Sequence, residues 1–78
     1  MTKDDFRIEV GNKIRTIRFQ HRNKYGRSMN QTEFCELLNE TEPTDLIIKP
    51  VSLGMYERGT QNCGSDKYEK ILRLDKNK

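Results

Sequence analysis

The side chains with the greatest chemical capability in this chain are few: Cys35 and Cys63, a single histidine, His21, and a run of cations from Lys13 to Arg27. A metal centre needs three or four ligands, and a disulfide scaffold needs cysteines in pairs. Two cysteines 28 residues apart, with no Cys-x-x-Cys and one histidine, supply neither. They read as small packing residues in a reducing compartment. His21 sits in a polar stretch and reads as a solvated residue rather than a base. No Ser, His and acid arrangement and no glycine-rich phosphate loop is visible. The chain is therefore expected not to be an enzyme and to use no cofactor and no metal.

Charge is the chemistry that remains. Gly11 to Asn30 holds six cations (Lys13, Arg15, Arg18, Arg22, Lys24, Arg27) and no acid, whereas Gln31 to Ile48 holds five acids (Glu33, Glu36, Glu40, Glu42, Asp45) and no cation. Segregation of this kind predicts an electropositive edge fit for a polyanion, with plain solvated faces as the alternative. The net charge of +3 says less than this distribution.

The elements that must carry these groups are small. With 78 residues, 32% hydrophobic and 35% charged, the chain allows one domain over residues 1–78. A domain of this size buries roughly 60% of its unfolded surface. Six Leu, six Ile, two Val and three Phe place it just above the ~20% below which disorder is the better expectation. A two-domain enzyme, a Rossmann unit and a large barrel are excluded. No apolar run approaches the ~20 residues that span a bilayer. Met1 to Asp5 lacks the apolar core of a signal peptide, so a cytoplasmic location without membrane association is expected.

Phe6, Val10, Ile14 and Ile17 recur at helical spacing and predict a first helix from about 3 to about 22, with Thr2 and Asp5 as a start cap. Asn23, Gly26 and Ser28 break the period into a basic loop. Asn30 with Glu33 forms a capping-box pattern, and Met29 with Phe34 a hydrophobic staple, so a second helix begins at Gln31. Phe34, Leu37 and Leu38 give its buried face, and Asn39 is expected to end it in the left-handed conformation. Residues 40–49 read as a loop whose Leu46-Ile47-Ile48 end dips into the core, with a short strand or extra turn as the lesser alternative. Pro50 opens a third helix that ends at Arg58 before Gly59, with Leu53 and Tyr56 inward. Ser65 is expected to cap a fourth, with Tyr68, Ile71 and Leu72 as its stripe, fraying from Asp75 onward.

Three segments in order resemble a known family. Gly11-Asn12-Lys13-Ile14-Arg15-Thr16-Ile17-Arg18 is similar to Gly-x-x-Ile-Arg-x-hydrophobic-Arg. Gln31 to Asn39 is similar to Gln-x-x-Leu-Ala-x-x-Leu-Gly, with Cys35 at the small position and Asn39 in place of glycine. Ser52 to Gly59 is similar to Ser-x-Ile-x-x-aromatic-Glu-x-Gly. Together they resemble the Cro and phage-repressor helix-turn-helix family, the xenobiotic-response-element type, over residues 10–74. The resemblance implies an all-α bundle of four to five short helices. The connections at 22–30 and 40–49 are longer than the family's, and no residues remain for its fifth, dimerising helix.

Carried over, the pattern implies a structural ion pair between Arg18 and Glu57, whose role is orientation rather than net stability. It puts Gln31, at the start of the second helix, on a DNA phosphate. Lys49, Val51, Ser52 and Met55 would face bases in the major groove, and Thr60, Gln61 and Asn62 would touch backbone. Lys13, Arg22, Lys24 and Arg27 are the further phosphate contacts expected from the basic segment. Val51 and Met55 could touch only thymine methyls, or else pad the core or face a partner. The function these residues imply is sequence-specific binding of double-stranded DNA by a small repressor-type transcriptional regulator of a phage, plasmid or other mobile element. A homodimer on a palindromic site would suit it. The alternative is a helix-turn-helix domain used for protein binding, as antitoxin, anti-repressor or subunit of a DNA-processing complex.

Overall fold

A computed structural model describes residues 3–77, with the side chains of Lys3 and Asp4 left out. Four α-helices account for the regular structure among these residues: α1 (Lys3–Gln20), α2 (Gln31–Glu40), α3 (Pro50–Arg58) and α4 (Ser65–Leu72). The molecule is all-helical, with principal extents of 39 × 26 × 26 Å. No described helix is long and apolar enough to cross a membrane. The Thr2 start cap lies outside the described residues.

Its core draws on all four helices and on the loops before α3 and α4. Ile14, Ile17, Phe34, Leu38, Leu53 and Ile71 are fully buried, with Cys35, Ile48, Tyr56 and Cys63 beside them. Phe6 does not join them and is 54% exposed. It lies instead at the rim of a cleft that it lines with Val10, Asn62, Cys63 and Tyr68.

Helix α1 stops at Gln20, two residues short of the expected end, because the chain leaves it to form a tight turn. The Asn23 carboxamide oxygen accepts from the Tyr25 and Arg27 amides at 2.9 and 3.1 Å, and Gly26 takes a φ of +77°. Arg22 and Ser28 pair as an isolated antiparallel bridge, and Met29 N donates to His21 O at 3.0 Å. His21 is not the solvated residue expected. Its Nε2 donates to Leu74 O at 2.8 Å, and its ring lies 5.8 Å from that of Phe34.

The capping box at Asn30 and Glu33 forms as read, with Glu33 N on Asn30 Oδ1 at 2.8 Å and Asn30 N on Glu33 Oε1 at 3.0 Å. Asn39 does not end α2 in a left-handed turn. The helix continues to Glu40, and Thr41 caps it in an extended conformation. The Asn39 carboxamide is instead occupied across the fold, accepting from Ile48 N at 2.9 Å and donating to Ile48 O at 3.2 Å. This satisfies both backbone groups of a residue whose side chain is in the core. Only Ile48 of the apolar run dips inward; Ile47 is 52% exposed. The buried ammonium of Lys70 holds the same loop, donating to Pro43 O at 2.7 Å and Leu46 O at 2.8 Å.

Pro50 opens α3, and Gly59 closes it at φ +75°. Ser65 is the first residue of α4 rather than its cap; Gly64, at φ +80°, precedes it with no side-chain cap bond. Residues 74–77 do not fray. Asp75 Oδ1 accepts from Gln20 Nε2 at 2.9 Å, Asp75 Oδ2 lies 2.8 Å from Lys13 Nζ, and Lys76 N donates to Gln20 Oε1 at 2.7 Å. Two side chains of α1, Lys13 and Gln20, thereby tie down the chain after α4.

Candidate nucleic-acid interface

What fixes α3 in place begins at Gly11. A Cβ on that residue would lie 2.4 Å from Glu57 O and 2.5 Å from Tyr56 O, so only glycine lets α1 approach the end of α3 this closely. Arg18 then grips Glu57 through two bonds of 2.9 Å and donates a third to Met29 O, also at 2.9 Å. Arg15 Nε stands 3.5 Å from the same carboxylate. Glu57 is buried, so its charge is matched where water cannot match it.

On the opposite side α3 meets the start of α2. The Gln31 carboxamide lies over Gly54, where a Cβ would come within 3.2 Å of its Oε1. Gln31, Pro50, Val51, Gly54 and Arg58 line one open cleft. Val51, Gly54 and Arg58 are three and seven residues apart, hence on one face of α3. Gly54 leaves that face bare in the middle. Lys49 is exposed at the helix start, and Arg58 is exposed at its end. The Arg58 guanidinium has no hydrogen-bond or ion-pair partner among the described residues.

The residues expected to touch DNA do not all gather here. Gln31 and Val51 line this cleft, Val51 being 71% exposed, whereas Lys49, Ser52 and Met55 are not among its lining residues; Lys49 is exposed and Ser52 and Met55 are half-buried. Thr60, Gln61 and Asn62 follow the far end of α3 and are exposed; Thr60 Oγ1 donates to Met55 O at 3.2 Å, and Asn62 Oδ1 accepts from Gly64 N at 3.2 Å. Lys13 is placed elsewhere, against Asp75. That pairing holds the Lys13 ammonium above its ordinary pKa and the Asp75 carboxyl well below the usual carboxylate range, the bond between them being the main cause.

Arg22, Lys24 and Arg27 are exposed on the turn after α1. Arg22 Nη1 donates to Ser28 Oγ at 3.3 Å, and the Lys24 ammonium lies 5.1 Å from the centre of the Tyr25 ring. This turn does not present an unmixed positive edge. Lys24 shares a cleft with Glu33, Glu36 and Glu40 of α2, so the basic and acidic blocks meet where the sequence separates them.

Both thiols are free and buried, and burial pushes each up to about 11. No group of three or more His, Cys, Asp or Glu side chains that could hold a metal ion occurs among the described residues. Two surface residues escape sequence reasoning. Arg58 was accessible through its seven-residue offset from Val51. Ile47 was not, since nothing in Leu46-Ile47-Ile48 says which member turns outward.

Compared with family models, with curated proteins and with solved structures, the chain has no significant match.

Proposed function

We propose that this protein binds double-stranded DNA sequence-specifically, as a small repressor-type transcriptional regulator of a phage, plasmid or other mobile element. The observation that carries the reading is the seat of Gln31 on Gly54, which joins the first turn of α2 and the outer face of α3 into one surface. Amide groups at the start of α2 favour a phosphate there, by hydrogen bonding and by the positive end of the helix dipole. A helix is about 10–12 Å across with its side chains, a fit for a major groove ~12 Å wide. Lys49 and Arg58 flank that face with positive charge. The three motifs shared with the Cro and phage-repressor family support the same assignment.

A titration with duplex DNA at two salt concentrations tests it. Affinity should fall steeply with salt, at a slope near 0.9 per phosphate contacted. Absence of binding to any duplex at low salt ends this reading.

A second reading, a protein-binding domain such as an antitoxin or anti-repressor, is favoured by the 71% exposure of Val51 and by the acidic tract from Glu33 to Asp45. Replacing Val51 and Met55 by Ser separates the two. Loss of DNA binding supports the first, and loss of partner binding with DNA binding intact supports the second.

A further inference from the structure

We propose that the turn from Arg22 to Ser28 is a second nucleic-acid site, which holds a single strand of DNA by stacking an unpaired base on Tyr25 and seating phosphates on the cations beside it. The site uses no residue of the cleft between α2 and α3. Only the choice of DNA as the strand rests on the proposed function.

Tyr25 is 72% exposed, more than any other large apolar or aromatic side chain described. Its backbone is nonetheless pinned. The Tyr25 amide donates to Asn23 Oδ1, Asn23 N donates to Arg27 O at 2.8 Å, Gly26 N donates to Asn23 O at 3.0 Å, and Arg22 and Ser28 pair as a bridge. Both feet of the turn are anchored in the fold, His21 through its ring bond to Leu74 O and Met29 through the Arg18 guanidinium. The ring therefore stands at the tip of an ordered turn, and a partner that stacks on it has little backbone freedom left to remove.

Charge selects the partner. The Lys24 ammonium lies 5.1 Å from the centre of the Tyr25 ring, and Arg22 and Arg27 are exposed on the same turn. No acid occurs between Gly11 and Gln31. Glu33, Glu36 and Glu40 border the turn on the side of Lys24 alone, since neither Tyr25 nor either arginine lines the cleft they share with it. Glu33 is moreover occupied, accepting from Asn30 N and Asn23 Nδ2. A flat apolar ring among cations is complementary to a polyanion that carries flat apolar faces, which is a nucleic acid. In a duplex those faces are covered by the neighbouring pairs, and uncovering one is costly. In a single strand they are open, so an exposed ring finds its partner there.

The experiment measures binding of the full chain to a fluorescein-labelled thymidine dodecamer by anisotropy, beside an abasic strand of the same length and charge. The dodecamer should bind, with a salt slope of about 2 if the three cations each meet a phosphate. The abasic strand should bind at least about fivefold more weakly, the loss expected for one missing stack. Tyr25→Ala should lower affinity for the dodecamer by the same factor, leave the abasic strand and duplex DNA unaffected and keep the wild-type melting temperature; Tyr25→Trp should restore binding. Equal binding of the dodecamer and the abasic strand overturns the inference, as does a Tyr25→Ala variant that holds the dodecamer as tightly as the wild type, or no binding of the dodecamer at low salt. Tighter binding of a uridine dodecamer overturns the assignment to DNA. Failure to bind any duplex while the dodecamer is still held overturns the proposed function and leaves this site standing.

Discussion

Arg18 and Glu57 meet through two parallel hydrogen bonds, Nε to Oε2 and Nη2 to Oε1, each 2.9 Å long, at the place where α1 crosses α3. The Glu57 side chain is 1% exposed and that of Arg18 13%. A fork of this kind fixes orientation as well as distance, because both donors must lie in the plane of the carboxylate. It also commits the fold to both partners.

Arg18→Ala should destabilise the protein by ~3 kcal/mol, the cost of leaving a buried carboxylate short of its main partner. The melting temperature should fall by on the order of 15 °C for a chain of this size. Replacing Arg18 by Met and Glu57 by Leu together should recover much of that loss. A double variant no more stable than the single one would locate the cost in packing rather than in the stranded charge.

Two glycines within helices should respond oppositely to alanine, although alanine is the better helix former by ~1 kcal/mol. At Gly11 the new methyl meets backbone oxygens at 2.4 and 2.5 Å, so α1 and α3 must part, and a net loss of ~2 kcal/mol is expected in urea unfolding. At Gly54 it meets the movable end of Gln31 at 3.2 Å. Stability should hold or rise there, while duplex affinity falls as Gln31 is displaced.

Asp75 should make the protein acid-sensitive. Hydrogen bonds from Lys13, the Asn77 amide and Gln20 lower its folded pKa. A lowered carboxyl contributes stability that is complete above its unfolded value, ~3.9, and is lost as pH falls toward the folded one. Lys13, raised by the same contact, loses its share only as pH climbs past ~10.4. Asp75→Asn should therefore melt below the wild type at neutral pH, and the gap should close on acidification below about pH 4. A gap that persists unchanged would assign the effect to hydrogen bonding rather than charge.

The cysteines should be inert in the folded protein. With both thiols buried and raised to about 11, almost none is thiolate at neutral pH. A chromogenic disulfide reagent should label neither in native buffer and both in denaturant. Rapid labelling of Cys63 in native buffer would show that the turn before α4 opens.

Local signals in this chain were legible where they act over a few residues. The Asn30 capping box, the Pro50 start and the Gly59 stop each satisfy backbone groups or torsions within one turn, so residue types at short spacing determine them. The helical stripes likewise place Ile14, Ile17, Phe34, Leu38, Leu53 and Ile71 inward. The ends read less well for a physical reason. Asn39, His21, Asp75 and Lys70 are polar side chains whose partners lie far along the chain, and a polar residue near an element boundary looks like a cap or a solvated end until that partner is known.

By itself, then, the sequence determined that this protein is a small all-helical domain with four particular apolar stripes, because helix periodicity and capping are local and the composition allows little else. Only the tertiary structure decided which polar and apolar residues remain on the surface. Lys13 is taken by Asp75, Lys24 faces the acids of α2, Arg58 stays free among the described residues, and Ile47 and Val51 are left in water. Those outcomes depend on how α1 and α2 pack on α3 and α4 packs on α1, and long-range packing distributes charge and exposure by contacts that no spacing along the chain encodes.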